Sequence, residues 1–564
     1  MLKRIIECVP NFSEGRDLTV IRQITDAIES VGGVKLLDVD PGKDTNRTVV
    51  TFTGEPDAVS EAAFRAVRKA SEVIDMSKHR GKHPRMGATD VCPFIPVAGI
   101  TMDETIAVAR KVAERIGQEL GIPVYCYESA AFEEKRRNLA NCRAGEYEGL
   151  ERKLQDPEWK PDYGPPLFNR KSGATAVGAR DFLVAFNINL NTTSTRRANA
   201  IAFDVREKGR EIVNDKGEAA TIPGTLKSVK AIGWYIEEYG IAQISMNLTD
   251  ISVTPVHIAF DEVCRKADAR GIRVTGSELV GLIPLKAMLD AGKYYLEKQQ
   301  RSVGVSDDEI IRIAVISMGM NQLQPFKPDE KIIEYVMEEK NQRKLIAMSL
   351  KGFMNETASE SPAPGGGSVA SYMGALGVAL GTMVANLSSH KKGWDSRWKE
   401  FSDWAVKGKE IQNRLLELVD EDTEAFNMII ASGRLPKSTD EEKKTRYDAV
   451  QVAIRNAIMV PYTVMETAYK GFEIVREMVE TGNPSSVTDA ATGAIALRSC
   501  IRGAFLNVKI NSGSLEDKAF VKKLLKKGQD IETKACLEEE AILKMVDSEI
   551  LKQQKRLRKV KKSG

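Results

Sequence analysis

Histidine is the scarcest residue of this chain, with four copies in 564 positions. Cysteine is nearly as rare. Cys8, Cys92, Cys126, Cys142, Cys264, Cys500 and Cys536 are scattered and odd in number, with no CxxC pair and no Cys/His cluster at zinc-finger spacing. That pattern excludes a disulfide framework and a structural zinc site, and it predicts reduced thiols in a cytoplasmic protein. An excess of one charge is also missing: 82 Lys and Arg less 79 Asp and Glu leave +3. No global field therefore directs the chain to nucleic acid or an acidic membrane. The one local excess, seven Lys and Arg within 552–562, continues a helical pattern and predicts a solvated helix end. The N-terminus lacks the apolar stretch of a signal peptide, and no apolar run is expected to reach transmembrane length. What remains, 42% apolar and 29% charged residues, is the balance of a soluble globular protein of several domains.

Hydropathy patterning divides the chain into an α/β part and an all-α part. Strand-like runs at Ile5–Val9, Val34–Val39, Arg47–Gly54, 91–97 and 124–127 alternate with helical stretches at 18–31, 58–76 and 102–120. Thr101 and Glu104 form a capping box for the last of these, and Gly121 stops it. The theme returns with strands at 183–190, 229–235, 242–248 and 273–276 and helices at 194–208 and 255–270. Each half reads β-α-β-β-α-β, the split pattern of a ferredoxin-like sheet. The expected organisation is therefore two α/β subdomains, 1–182 and 183–327, a linker at 328–341, and a helical bundle over 342–564. Bundle helices are expected at 345–355, 369–387, 394–432, 440–471, 472–481, 487–510 and 515–559.

Half of the histidine falls in one short segment, Met76-Ser-Lys-His79-Arg-Gly81-Lys-His83-Pro84-Arg85-Met-Gly87. Imidazole titrates near neutrality, so this concentration suggests proton transfer, and a solvated basic loop is the competing reading. Pro84 pushes His83 out of helical geometry, and Gly81 argues against a helical His79/His83 metal pair. Asp38-Val-Asp40-Pro-Gly-Lys-Asp-Thr-Asn46-Arg47 lies between two strands, where Asn46 and Arg47 could grip a carboxylate or simply build a turn. Its Gly-Lys fails Walker spacing, which excludes a P-loop. Tyr163 to Gly178 is a long irregular stretch with aromatic and basic groups, suited to a planar anionic ligand. Gly365-Gly366-Gly367-Ser368 opens a helix, offering free N–H groups to an anion or serving as a plain linker. Asp422 shares an apolar stripe with Ile411, Leu415, Leu418, Ala425 and Ile429, where a carboxylate is costly unless it is paired or functional.

Together these strings resemble the bifunctional formimidoyltransferase–cyclodeaminase family. The resemblance rests on Glu7-Cys-Val-Pro-Asn-Phe-Ser-Glu-Gly15, Asp38-Val-Asp40 with Asn46-Arg47, His83-Pro-Arg-Met-Gly-Ala88, Asp90-Val-Cys-Pro-Phe-Ile-Pro96, Ala185-Phe-Asn-Ile-Asn-Leu190, Pro325-Phe-Lys-Pro328 and the Pro364–Ser368 helix start. It implies formimidoyl transfer between N-formimidoyl-L-glutamate and tetrahydrofolate, with His83 as general acid/base and Asp40, Asn46, Arg47 and Arg85 near the substrate. The family's folate loop falls on Gly164-Pro165-Pro166-Leu167-Phe168-Asn169-Arg170-Lys171-Ser172-Gly173, although Leu167 and Asn169–Lys171 depart from the animal pattern. The helical part would cyclise 5-formimidoyltetrahydrofolate to 5,10-methenyltetrahydrofolate and release ammonia, with Asp422 catalytic and Gly365–Ser368 binding substrate. The resemblance further implies polyglutamylated tetrahydrofolate as co-substrate, no metal, no nucleic-acid partner, and a homo-oligomer such as a ring-shaped octamer. A chain with one live activity and a non-catalytic folate-binding or cytoskeletal scaffold are the alternatives.

Overall fold

A computed structural model describes residues 4–42, 46–81, 84–213, 218–237, 239–337, 345–361 and 363–563, with side chains described as far as 555. The chain forms two compact units. One comprises Met1–Ala291 with Val315–Glu338, and the other comprises Gly292–Ala314 with Glu339–Gly564.

Among the described residues the first unit contains two main sheets and a separate two-stranded one. The larger one has seven strands: β1 (Ile5–Cys8), β2 (Asn11–Phe12), β3 (Val34–Gly42), β4 (Arg47–Gly54), β5 (Thr89–Ala98), β6 (Val124–Glu128) and β7 (Thr175–Ala179). β1 and β2 are successive parts of one line, each paired antiparallel with β4 on one side and β5 on the other. β3 flanks β4, so the four lines run β3, β4, β1/β2, β5, the ferredoxin-like order. β7 and then β6 extend this sheet in parallel beyond β5. The helices form where their caps and apolar faces require them. Asp17 accepts the Thr19 N–H at 2.8 Å to start Leu18–Glu29, which buries Ile21, Ile24 and Ile28. Pro56–Val73 buries Val59, Ala63, Val67 and Ala70 along one face. The Thr101–Glu104 capping box and a left-handed Gly121 (φ 62°) bound Met102–Leu120.

The second sheet repeats this plan with β8 (Val184–Leu190), β11 (Val229–Ile236), β12 (Ile241–Leu248) and β13 (Val274–Val280), antiparallel throughout in the order β11-β12-β8-β13. A separate hairpin, β9 (Arg210–Val213) and β10 (Ala219–Ile222), precedes β11.

In the second unit Gly366–Ser389, Trp398–Gly433, Asp440–Thr481, Val487–Asn511 and Lys518–Ser563 are long helices around one apolar core. Three sequence readings change here. The break expected at Gly471 does not occur, and Asp440–Thr481 is continuous. Gly471 is a packing position, where a Cβ would come within 2.7 Å of Val378 and 3.0 Å of Leu497. Gly366–Ser389 is, by length and composition, apolar enough to cross a membrane, contrary to the expectation of no such run. Its most apolar window is 61% buried among its neighbours, as a bundle's core helix would be. Finally, Gly292–Ala314, read above as part of the second α/β subdomain, clusters with the bundle: the Val303 N–H donates to Ser402 Oγ at 3.1 Å and Lys409 pairs with Asp307 at 2.6 Å. Part of the stretch expected as a linker is ordered as Pro328–Lys331 and Ile333–Met337, and the remainder lies outside the described residues.

Gly366–Ser389 meets Val487–Asn511 backbone to backbone. A Cβ on Gly377 would lie 2.8 Å from the Gly493 carbonyl oxygen, and one on Gly493 would lie 2.7 Å from the Gly377 carbonyl oxygen. Gly493→Ala should therefore destabilise this unit by about 1–3 kcal/mol through forced separation of the two helices. Gly433→Ala, where a Cβ meets nothing within 4 Å, should not. Denaturation midpoints of the two variants check this, and equal midpoints would contradict the backbone contact.

Candidate active sites

The histidine segment is fixed by hydrogen bonds around its described residues; Lys82 and His83 themselves lie outside them. His79 is buried, with Nε2 2.8 Å from the Asn46 carbonyl oxygen and Nδ1 receiving the Arg85 Nε–H at 3.2 Å. Asn46, left-handed at φ 49°, uses its amide on two further segments: Oδ1 accepts the Gly15 N–H and Nδ2 donates to the Arg80 carbonyl, each at 3.0 Å. Arg85, which the resemblance places near the substrate, is buried and lines a smaller cleft with Arg80, Gly81, Gly145, Glu146 and Glu148. It pairs with Glu148 through Nη1 at 2.9 Å and Nη2 at 2.6 Å, and with Glu146 at 3.0 Å. Those bonds hold its pKa above the usual value.

Asp90 is wholly buried on β5. It accepts the Met86 N–H at 3.0 Å and pairs with Arg143 at 2.5 Å. Arg47, at the start of β4, feels the charges of Asp90, Arg143 and the exposed Asp40, and burial lowers its pKa. The Nε atoms of Arg47 and Arg143 are buried with no hydrogen-bond partner, as is the Thr89 hydroxyl. Arg143 thus pairs with the buried carboxylate while Arg47 only lies in its field, and orphaned donors of this kind mark a place where a partner belongs.

Beside this cluster lies a cleft of about 770 Å³ between the ends of the two sheets, lined by Pro84, Tyr127, Glu128, Arg137, Arg143, Glu146, Arg180, Asp181, Ser228, Lys230 and Asp250, among others. Among the described residues five non-glycine ones have positive φ. Three of them, Glu128 (51°), Glu146 (52°) and Ser228 (54°), line this cleft, and Asn46 belongs to the network behind it. Strain concentrated in this way marks functional sites. The Arg180 guanidinium donates to the Asp181 carbonyl at 3.0 Å, and among the described residues neither Arg180 nor Lys230 has a carboxylate partner. The charge of Arg180 reaches Glu7, a buried carboxyl pushed up to about 7 by burial against that pull. Sequence reasoning passed over Arg143, Arg180 and Lys230 because each stands alone in its segment; only the fold brings them together.

The 164–173 loop closes on the histidine segment. The Ser172 carbonyl accepts the Ala88 N–H at 2.8 Å, the Lys171 carbonyl accepts the Met76 N–H at 2.9 Å, and Gly173 (φ 67°) bridges Gly87. Ser172 N–H donates to Asn169 Oδ1 at 2.9 Å, and Tyr147 donates to the Arg170 carbonyl at 2.5 Å. Phe168 packs against Tyr147 with ring centroids 5.4 Å apart, whereas Leu167 is exposed. Gly164, Pro165 and Pro166 lead from Tyr163, whose carbonyl accepts the Val124 N–H.

In the helical unit, Asp422 on Trp398–Gly433 meets the first turn of Gly366–Ser389. Its Oδ2 accepts the Ser368 hydroxyl at 3.0 Å, and its carboxylate also takes the Ser368 backbone N–H. Ser368 is wholly buried and lies 3.4 Å from the Thr423 hydroxyl. A side chain at Gly367 would overlap Asp422, and Gly366 leaves room beside Asn507. Gly365 caps the helix without a side chain of its own. The anion-seeking helix start read from Gly365–Ser368 is thus occupied by the protein's own carboxylate. Burial raises the Asp422 pKa above the usual carboxylate range, against the two Ser368 bonds. Asp420 turns elsewhere and accepts the Leu345 N–H at 2.8 Å.

Comparison with known proteins decides the family. Residues 5–180 match the formiminotransferase domain, N-terminal subdomain; 185–338 match the formiminotransferase domain; and 349–530 match formiminotransferase-cyclodeaminase. The formimidoyltransferase-cyclodeaminase of Gallus gallus is 43% identical over 92% of this chain and 94% of its own length. This chain belongs to the formimidoyltransferase-cyclodeaminase family. The glutamate formimidoyltransferase of Streptococcus pyogenes is 44% identical over 52% of this chain and 94% of its own length. The methenyltetrahydrofolate cyclohydrolase of Methylorubrum extorquens is 31% identical over 36% of this chain and 97% of its own length.

The raised pKa of Asp422 has a sign. The folded state holds this proton more tightly than the unfolded chain, so the contribution of Asp422 to stability is fully present below the unfolded carboxyl value, about 3.9. It declines as pH rises through the folded value. Asp422→Asn should therefore gain stability over the parent as pH climbs from about 4 toward neutrality. Denaturation midpoints of both proteins across that range check this, and a constant difference would refute the raised value.

Proposed function

We propose that this chain carries both activities of its family. In the first unit it transfers the formimidoyl group between N-formimidoyl-L-glutamate and tetrahydrofolate. In the second it cyclises 5-formimidoyltetrahydrofolate to 5,10-methenyltetrahydrofolate and ammonia, the sequence of steps used in histidine breakdown. The observation that carries this reading is the presence in one chain of two chemically distinct sites: a cleft with unpaired cations beside the histidine segment, and a buried carboxylate on a helix start.

The chemistry fits each site. A formimidoyl carbon is an amidine carbon, electrophilic when protonated, and its transfer needs one amine deprotonated for attack and another protonated to leave. A group titrating near neutrality does both, which is the role assigned to His83. The two carboxylates of the glutamate substrate require fixed cations. Among the described residues Arg180 and Lys230 have no carboxylate partner in the cleft, and Arg47, in the field of Asp90 and Asp40, makes no ion pair. Arg85 is not needed for that task, because Glu146 and Glu148 neutralise it. The 164–173 loop, anchored to the same segment, would hold the folate. In the second unit the folate N10 attacks the formimidoyl carbon and ammonia departs. Asp422 would stabilise the cationic amidine and carry the proton, with Ser368 orienting its carboxylate.

The folate is proposed to be polyglutamylated, and the enzyme to work as a cytoplasmic homo-oligomer, with a ring-shaped octamer as the implied form. The exposed Leu376, Met383 and Leu387 along Gly366–Ser389 support self-association. Similarity to a methenyltetrahydrofolate cyclohydrolase favours a second reading of the helical unit, in which water attacks the methenyl carbon and yields a formylfolate.

Assays of the separate half-reactions test the assignment. His83→Ala should abolish transfer and leave cyclisation of supplied 5-formimidoyltetrahydrofolate intact, followed as methenylfolate absorbance. Asp422→Ala should do the reverse. Loss of both activities from either folded variant would refute the two-site reading.

A further inference from the structure

The geometry points to His79 as a positioning residue for transfer, held permanently as the neutral Nε2–H tautomer, so that it carries no proton in the reaction. This rests on the reading that the first unit is a formimidoyltransferase whose proton carrier is His83.

The tautomer follows from its two partners. An arginine Nε–H can only donate and a backbone carbonyl can only accept. Arg85 Nε faces Nδ1 at 3.2 Å and the Asn46 carbonyl faces Nε2 at 2.8 Å. Both contacts are hydrogen bonds in only one form, with Nδ1 bare and the proton on Nε2. An imidazolium would turn an N–H toward the guanidinium and place two cations in contact. Burial, the largest effect, and the charge of Arg85 both lower the His79 pKa. The Asn46 carbonyl and Glu14 pull the other way, and Arg16 adds to the lowering.

What His79 positions follows from what its partners hold. Asn46 spans Gly15 and Arg80, so it ties the start of β4, with Arg47, to the histidine segment. Arg85 is clamped by Glu146 and Glu148, and its carbonyl accepts the Tyr147 N–H at 2.9 Å. His79 joins these two anchors. Only residues 80–84 separate it from Arg85 in sequence, and His83 is one of them. A chain Asn46–His79–Arg85–Glu148 thus fixes both ends of the stretch that carries the proposed proton carrier.

The test uses the full chain with His79→Asn, His79→Gln and His79→Ala. Asparagine can keep the bond from Arg85, glutamine can keep the bond to Asn46, and alanine keeps neither. Transfer kcat should fall about 10-fold in each polar variant and about 100-fold in His79→Ala, the scale of a small misplacement of catalytic groups. Cyclisation by the helical unit should be unchanged in all three, which reports an intact protein. The acid limb of the kcat/KM profile for transfer should persist in every active variant. Loss of that limb in His79→Gln would make His79 the titrating group and overturn the proposal, as would a His79→Ala transfer rate within twofold of the parent. Histidine C2–H exchange, read by mass spectrometry without turnover, should give His79 a midpoint below the ordinary imidazole value. An ordinary or raised midpoint would overturn the locked tautomer. Absence of transfer in the unaltered chain would count against the functional reading alone, because the exchange measurement tests the tautomer independently.

Discussion

Asp90 has no contact with water, and the loops of the first unit are arranged around its charge. Removing one partner from a buried ion pair costs about 3–5 kcal/mol, because the remaining charge is stranded. Asp90 sits on β5, yet its partners come from the histidine segment (Met86) and from the stretch before Glu146 (Arg143), and Arg47 on β4 shares its field. The residues just before β5 and a segment about fifty positions later are thereby bonded to one carboxylate, with Arg47 in its field. The neighbouring cleft mixes both signs, with Arg137, Arg143, Arg180 and Lys230 facing Glu128, Glu146, Asp181 and Asp250. The same desolvation rule governs the other unit, where Asp422 is tolerated because a helix start and the Ser368 hydroxyl supply what water would have supplied.

The parts of this arrangement that depend on local chemistry were legible in the sequence. The Thr101–Glu104 capping box, the Gly121 stop and the apolar face of Pro56–Val73 are local devices, and they form where they are written. Both ferredoxin-like sheets follow from the order of apolar runs. Asp422 could be singled out because a carboxylate breaks a helical apolar stripe, a contradiction visible in one dimension. What the sequence could not show is which charges meet. The resemblance places Arg85 near the substrate, and only the fold reveals Glu146 and Glu148 on it. Arg180 and Lys230 carry no motif, and their meaning lies wholly in a cleft assembled from strands of both sheets. Gly471 was misread for a related reason. A glycine that ends a helix and a glycine that admits a neighbour look identical until Val378 and Leu497 are seen against it.

The two sites suit related reactions by opposite means. In the first unit His79 and Arg85 are saturated by internal partners, and among the described residues Arg180 and Lys230 are cations without a carboxylate partner in the cleft. In the second the proposed reactive group is a carboxylate, and the helix start beneath it is consumed in holding it. Carboxylate-bearing glutamate suits the one, and a cationic amidine bonded to folate suits the other.

Chain order and packing order disagree at Gly292–Ala314. This segment is flanked on both sides by residues of the α/β unit, yet it covers Ser402, Asn386 and Lys409 of the bundle through Val303, Gly304 and Asp307. No single cut of the polypeptide therefore yields two complete pieces. During synthesis the strap leaves the ribosome before the helices it will cover, and it must wait for them. A gene that separated these two halves of this chain would have to rebuild a surface as well as insert a stop codon.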